Sequence, residues 1–163
     1  MLIRLKNKDT LKIDEFSFKC CIGKKGLKAK KVEGDLATPK GTYLLKNLYY
    51  RSDKFKKIET LLPKIRIKKN MGWCNDPKNR FYNSLIKIRK KVKHEKMYRK
   101  DRKYDLVIVI DYNLKKPIPF KGSAIFIHLT QNYKPTAGCI ALSKNDMLVL
   151  LKIINKKTKI NIC

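Results

Sequence analysis

From one end to the other the chain is punctuated by short runs of β-branched, aromatic and aliphatic residues. They are Leu2 to Leu5, Leu11 to Ile13, Phe16 to Ile22, Gly41 to Leu48, Tyr104 to Asp111, Ser123 to Leu129, Cys139 to Leu142 and Thr158 to Ile162. Runs of about four to eight such residues between turn formers read as strands, so a mainly β fold is expected. Two peripheral helices are expected beside it. The first spans Asn79 to Arg99, where Leu85, Ile88, Val92 and Met97 stand at roughly helical spacing among lysines. The second opens at Ser143 as a cap, with Asp146 three residues on, and runs through Met147, Leu148 and Leu151 to cover the core near Cys139. The 163 residues contain no Gly/Ser-rich or Pro-rich linker, which predicts a single domain over 1–163 with a substantial core.

Two of these runs carry chemistry. Ser123 to Leu129 ends with His128, Cys139 to Leu142 begins with a cysteine, and the polar segment between them is too long for a tight hairpin. If the two strands pair antiparallel, directly opposed β-carbons stand about 4.5–5.5 Å apart and imidazole can touch thiol. A thiolate is the nucleophile, and a free cysteine with a pKa of about 8.5 needs a base to supply it at neutral pH. Gly138 permits a backbone bend that aims nearby amides at a developing oxyanion, and Thr136 is placed to hydrogen-bond the ring or a substrate. On spacing alone, a packed strand histidine with an inert core cysteine is the commoner outcome.

The words around the pair resemble the L,D-transpeptidase catalytic-domain family, the cysteine enzymes of peptidoglycan metabolism. That family follows a strand-ending histidine with a Ser/Thr-x-Gly-Cys signature, matched here by His128 and by Thr136-Ala137-Gly138-Cys139. Gly34 to Tyr43, with Thr38-Pro39-Lys40-Gly41, is similar to its Thr-Pro-x-Gly segment. Gly72-Trp73-Cys74-Asn75-Asp76-Pro77, Tyr82-Asn83, His94 to Tyr98 and Tyr104-Asp105-Leu106 follow the order of its compact single-domain branch. Two positions depart. Ala137 stands where the best-known members have histidine or arginine, and Ala141 where they often have arginine. The loop is also shorter than in many members, which implies a simpler lid.

The resemblance implies a β-sandwich-like or barrel-like core and an acyl transfer that needs no metal or cofactor. Cys139 attacks the carbonyl at the L-centre of a diamino acid in a tetrapeptide stem, D-alanine leaves, and a thioester remains. Water then gives L,D-carboxypeptidation, and an amine gives cross-linking, with His128 as base and then acid. Gly138, Ala137 and Thr136 are the expected oxyanion and orienting residues. Trp73, Asp76, Tyr82, Asn83 and Glu95 are the candidate substrate-binding residues. For Trp73 and Tyr82 a place in the core is the alternative, for Asp76 a turn before Pro77, and for Glu95 solvation on a helix face. His94 is read as a solvated helix residue, and Asp35 as a turn or loop residue.

The charge sets the competing readings. Lys and Arg number 41 against 13 Asp and Glu, for a formal net charge of +28. Such a field attracts polyanions, so non-specific polyanion binding that weakens with salt is expected. No zinc-finger spacing, RNP pattern or basic zipper supports a nucleic-acid-associated module beyond that. A catalytically inactive muropeptide-binding relative is the third reading. The first ten residues show neither an apolar stretch of about 7–15 residues nor a small-residue cleavage site, and no apolar run approaches the roughly 18 residues of a membrane span. A cytoplasmic location is therefore expected, with the cell envelope as the alternative if a signal was removed. In the cytoplasm the substrate would be soluble muropeptides and the acceptor water. Five cysteines without framework spacing suit a reducing compartment, and Cys74 is the rival nucleophile, ranked behind Cys139.

Overall fold

The computed structural model describes residues 1–29 and 31–163. In chain order the strands are β1 (Leu2–Lys6), β2 (Thr10–Ile13), β3 (Phe16–Cys21), β4 (Leu27–Lys28), β5 (Thr38–Pro39), β6 (Gly41–Tyr50) and β7 (Lys64–Arg66). They continue with β8 (Met71–Cys74), β9 (Leu85–Lys87), β10 (His94–Lys96), β11 (Leu106–Ile110), β12 (Phe126–Leu129) and β13 (Ile140–Leu142). Helix α1 (Lys144–Ile153) and β14 (Lys159–Ile162) complete the described elements.

The main sheet runs β11-β12-β13-β3-β2-β1-β14-β6-β7, and β6 also pairs with β11, which closes it into a barrel. Strand β6 makes the closure because it is long enough to change partners. Gly41 to Leu44 face β14, and Leu45 to Tyr50 face β11 with a register shift between Ile108 and Ile110. Alternation along the strands fills one face with Ile3, Leu5, Leu11, Ile13, Leu45, Leu48, Ile108, Ile127, Leu129, Ile140, Leu142 and Ile160. Helix α1, capped by Ser143 Oγ accepting from the Asp146 amide, adds Met147, Leu150 and Leu151 to this core.

A second, smaller core lies on the opposite face of β11 and β12. Val107, Val109 and Phe126 pack there with Tyr49, Ile67, Trp73, Met97 and Tyr104, beneath a three-stranded sheet of order β10-β8-β9. Strand β11 is therefore covered on both sides, which accounts for its unbroken Leu-Val-Ile-Val-Ile.

That outer sheet corrects the helix expected over Asn79 to Arg99. The segment instead forms turns and the strands β9 and β10, paired antiparallel to β8 on either side. Polar side chains capture the backbone first: Asn79 Oδ1 accepts from the Phe81 amide, and Ser84 Oγ donates to the Phe81 carbonyl. Asn83 then adopts φ of +57°, which no α-helix accommodates. The apolar spacing is only approximately helical, and in this arrangement Met97 is fully buried while Leu85, Ile88 and Val92 are half-buried. His94 accordingly lies on a strand and not on a solvated helix face.

The pairing of the two chemical strands also differs from the antiparallel arrangement considered above. Strands β12 and β13 run parallel, with Ile127 opposite Ile140 and His128 opposite Ala141. The loop 130–139 therefore travels back along the full length of β12. Because Cys139 precedes β13 by one residue, it stands beside Phe126, two residues from His128 along the strand.

Candidate active site

Strand alternation puts the histidine and the cysteine on one face. Ile127, Leu129, Ile140 and Leu142 point into the barrel core, so Phe126, His128, Cys139 and Ala141 point outward to the second core. With strands about 4.8 Å apart and an offset of two residues, their β-carbons are separated by about 8 Å, a span that imidazole and thiol together bridge. Both side chains line one cavity of about 1130 Å³, together with Lys31, Glu33, Glu95, Arg99, Tyr104, Thr136 and Gly138. Seven Lys or Arg and three Asp or Glu line it in all.

The imidazole is held in one tautomer. His128 Nδ1 faces the Leu129 carbonyl at 2.9 Å, and because a carbonyl only accepts, Nδ1 carries the proton and Nε2 is free of it. Burial lowers the imidazole pKa to about 4; the Leu129 carbonyl works against that shift, while Lys103 and Arg99 reinforce it. The Tyr104 ring stands edge-on to it with centroids 5.3 Å apart.

The thiol is parked elsewhere. Cys139 Sγ donates to the Ala124 carbonyl at 3.2 Å, and no hydrogen bond joins it to His128. Burial raises its pKa to about 12, as does the carboxylate of Glu95; the Phe126 amide, the Lys31 ammonium and the Tyr104 hydroxyl act the other way. The Ala124 peptide that receives the thiol is itself braced. Ala124 has φ of +54°, and its amide donates to Asn83 Oδ1 at 2.9 Å, the same oxygen that accepts from Trp73 Nε1. Asn83 Nδ2 donates in turn to the carbonyls of Tyr112 and Asn113.

The signature loop is pinned by Thr136. Its amide donates to the Ile22 carbonyl, its Oγ1 accepts from the Gly138 amide at 3.1 Å and donates to the Cys139 carbonyl. Gly138 has φ of +141°, and a β-carbon there would stand 2.8 Å from the Ala37 carbonyl oxygen, so only glycine fits where this loop crosses the segment before Thr38.

The other sequence candidates fall into two groups. Glu95 lines the cavity, accepts from the Tyr104 hydroxyl at 2.7 Å and meets Arg99 at 3.5 Å; burial raises its pKa. Trp73, Tyr82, Asn83 and Asp76 do not line it. Trp73 packs between Tyr49 and Phe126, and Tyr82 accepts from the Gly122 amide and donates to Glu33. Asp76 closes a turn by accepting from the Lys78 amide. Cys74 is fully buried opposite His94 across β8 and β10 and does not line the cavity, although His94 and Asn75 do. Among the described residues no group of three or more His, Cys, Asp or Glu is placed to hold a metal ion.

A model of the L,D-transpeptidase catalytic domain matches residues 3–162. The chain belongs to the L,D-transpeptidase catalytic-domain family. That family acts on peptidoglycan, and its barrel is seen again in the helical cell shape determining protein Pgp2 from Campylobacter jejuni. The similarity to Pgp2 is 18% identity with a TM-score of 0.53, over 98% of this chain and 46% of that one. A substituted form of Pgp2 gives 19% identity and a TM-score of 0.52, over 98% and 45%. This L,D-transpeptidase-like chain thus spans about half the length of those structures. No curated protein sequence matches it significantly.

Tyr104, Glu33 and Lys31 are among the residues of this family member's cavity that carry no site signal in the sequence. Tyr104 stood in a matched motif without a role, Glu33 carried no signal, and Lys31 was one lysine in a lysine-rich chain.

Proposed function

We propose that the protein is a cysteine acyltransferase of peptidoglycan stem peptides, with Cys139 as nucleophile and His128 as general base and acid. The observation that carries this reading is their placement on one face of β12 and β13, open to a single large cavity, with Nδ1 of the imidazole already committed to a carbonyl. The thiol turns from the Ala124 carbonyl to Nε2 and gives up its proton there. The thiolate attacks the carbonyl at the L-centre of the diamino acid. Because Thr136 occupies the Gly138 amide, the oxyanion falls to the amides of Ala137 and Cys139. The imidazolium then protonates the departing D-alanine amine, and a thioester on Cys139 remains.

The cavity rim suits this substrate class. A stem peptide carries several carboxylates, and the excess of cations around the cavity draws them in. The same rim disfavours an approaching ammonium, which makes water the preferred acceptor and the tripeptide the preferred product. Pgp2 is a cell shape determining protein, and an effect of the present protein on wall architecture belongs to the same proposal.

The test is incubation of the protein with a disaccharide tetrapeptide, followed by mass spectrometry, beside Cys139→Ala and His128→Ala. Tripeptide from the wild type, with at least a ~1,000-fold loss in Cys139→Ala, is the expected result. Cross-linked dimers would move the acceptor from water to amine. Unchanged substrate with measurable binding would leave a non-catalytic muropeptide-binding protein.

A further inference from the structure

Among the described lysines, Lys31 alone is buried, with 6% of its surface exposed. Its stem lies in a groove between two glycines. A β-carbon on Gly122 would stand 2.8 Å from Lys31 Cε, and one on Gly138 would stand 3.4 Å from Lys31 Nζ. Both glycines have positive φ, +98° and +141°, so neither position readily takes another residue. The groove delivers the ammonium to Gly138, immediately before Cys139, and Lys31 lines the same cavity as the thiol.

The charge is clamped there. Lys31 Nζ donates to Asp35 Oδ1 at 2.7 Å, and Asp35 also accepts from the amides of Val32 and Ala37. Burial opposes ionisation of Asp35, but those three hydrogen bonds outweigh it and hold its pKa at about 2. A groove that needed only filling would be served by an apolar side chain at no desolvation cost. The charged groups that face Cys139 come from three elements: Lys31 from the β4–β5 segment, Glu95 from β10 and His128 from β12, with the Tyr104 hydroxyl between Glu95 and the thiol.

We propose that Lys31 is a positioning residue for the nucleophile: its ammonium, clamped by Asp35 between Gly122 and Gly138, favours the Cys139 thiolate against the opposing carboxylate of Glu95. The proposal rests on Cys139 being the nucleophile. As the proton passes from Sγ to His128 Nε2, the new negative charge forms between a fixed cation and a fixed anion. Lys31 offsets Glu95, so the transfer to a buried imidazole is less uphill.

The test measures alkylation of Cys139 by iodoacetamide from about pH 6 to pH 12, resolved by site with mass spectrometry; below the midpoint the rate follows the thiolate fraction, so a displaced midpoint reads as a rate change at fixed pH. A Cys163→Ser background is used because Cys163 is exposed. In Lys31→Met the titration midpoint moves up, and the rate at about pH 8 falls about tenfold. In Asp35→Asn the ammonium loses its counter-charge, so the midpoint moves down and the rate rises severalfold. The double variant recovers part of the Lys31→Met loss. Opposite signs are the mark of charge, because loosened packing moves both single variants the same way. Shifts of one sign, or none in either, overturn the proposal. If Lys31→Met fails to fold, judged by the near-ultraviolet signal of Trp73, Asp35→Asn decides: a downward shift supports the proposal, and any other result overturns it. Alkylation needs no stem peptide, so absence of tetrapeptide turnover in the parallel assay counts against the proposed function and not against this inference.

Discussion

Asn83 illustrates how a residue of a turn governs a site it does not enter. Its side chain makes four hydrogen bonds, to Trp73, Ala124, Tyr112 and Asn113, and it is only 2% exposed. Replacing it with alanine strands buried donors and acceptors and places a β-carbon residue without a polar tip at φ of +57°. Asn83→Ala is expected to lower stability by about 2–4 kcal/mol, read as a reduced urea midpoint. The Ala124 peptide loses its brace in the same variant, so alkylation of Cys139 at alkaline pH should quicken. An unchanged midpoint would show that water replaces the amide without loss. The sequence pointed to Asn83 as a residue of interest, but its partners come from three other segments and could not be read locally.

At the scale of elements, the outer sheet sets the distance between Glu95 and the nucleophile. Strand β8 can lie close beside β10 because Gly72 has no side chain: a β-carbon there would meet His94 Cδ2 at 2.8 Å and Ile88 Cγ1 at 3.1 Å. Gly72→Ala should therefore push β10 outward, at a cost of about 1–3 kcal/mol. Glu95 moves with it, so tetrapeptide turnover should fall by more than the loss of folded protein explains, which thermal melts and active-site titration would separate. The same sheet explains why residues 79–99 do not form a helix. These residues have weak local preference, and what organises β9 and β10 is pairing with Met71–Cys74, where even the nearest partners, Trp73 and Leu85, are separated by a turn-rich stretch. The eight strands expected from sequence are all present within a few residues of their expected bounds, because those segments bury alternating or continuous apolar faces that the sequence displays directly.

For the molecule as a whole, pH acts through groups of both signs. The folded pKa of His128, about 4, lies below its ordinary 6.5, so protonation favours the unfolded chain. Its contribution, up to roughly 3 kcal/mol, is complete above about pH 6.5 and is lost as pH falls toward 4. Asp35 adds a second acid limb, complete above its ordinary 3.8 and lost as pH falls toward 2. Cys139 has the opposite sign: its contribution is complete below about pH 9 and is lost as pH rises toward 12. Urea titrations across pH should therefore show a plateau between the His128 and Cys139 limbs, and His128→Asn should flatten the limb between about pH 6.5 and 4. A net charge of +28 also repels itself, so moderate salt should raise the melting temperature, most clearly at low pH where carboxylates are neutralised.

What the sequence by itself determined was local or periodic: the strands of the barrel, the capped helix after Ser143, and a histidine and a cysteine each beside a strand end in a recognisable signature. Side-chain alternation and capping act over a few residues, so they are written in the order of the residues. Tertiary structure decided the parallel register of β12 and β13, the outer sheet over β11, the Asn83 brace and the groove that carries Lys31 to Gly138. Each of these depends on a contact between segments far apart in the chain, where burial and backbone hydrogen bonding outweigh local preference.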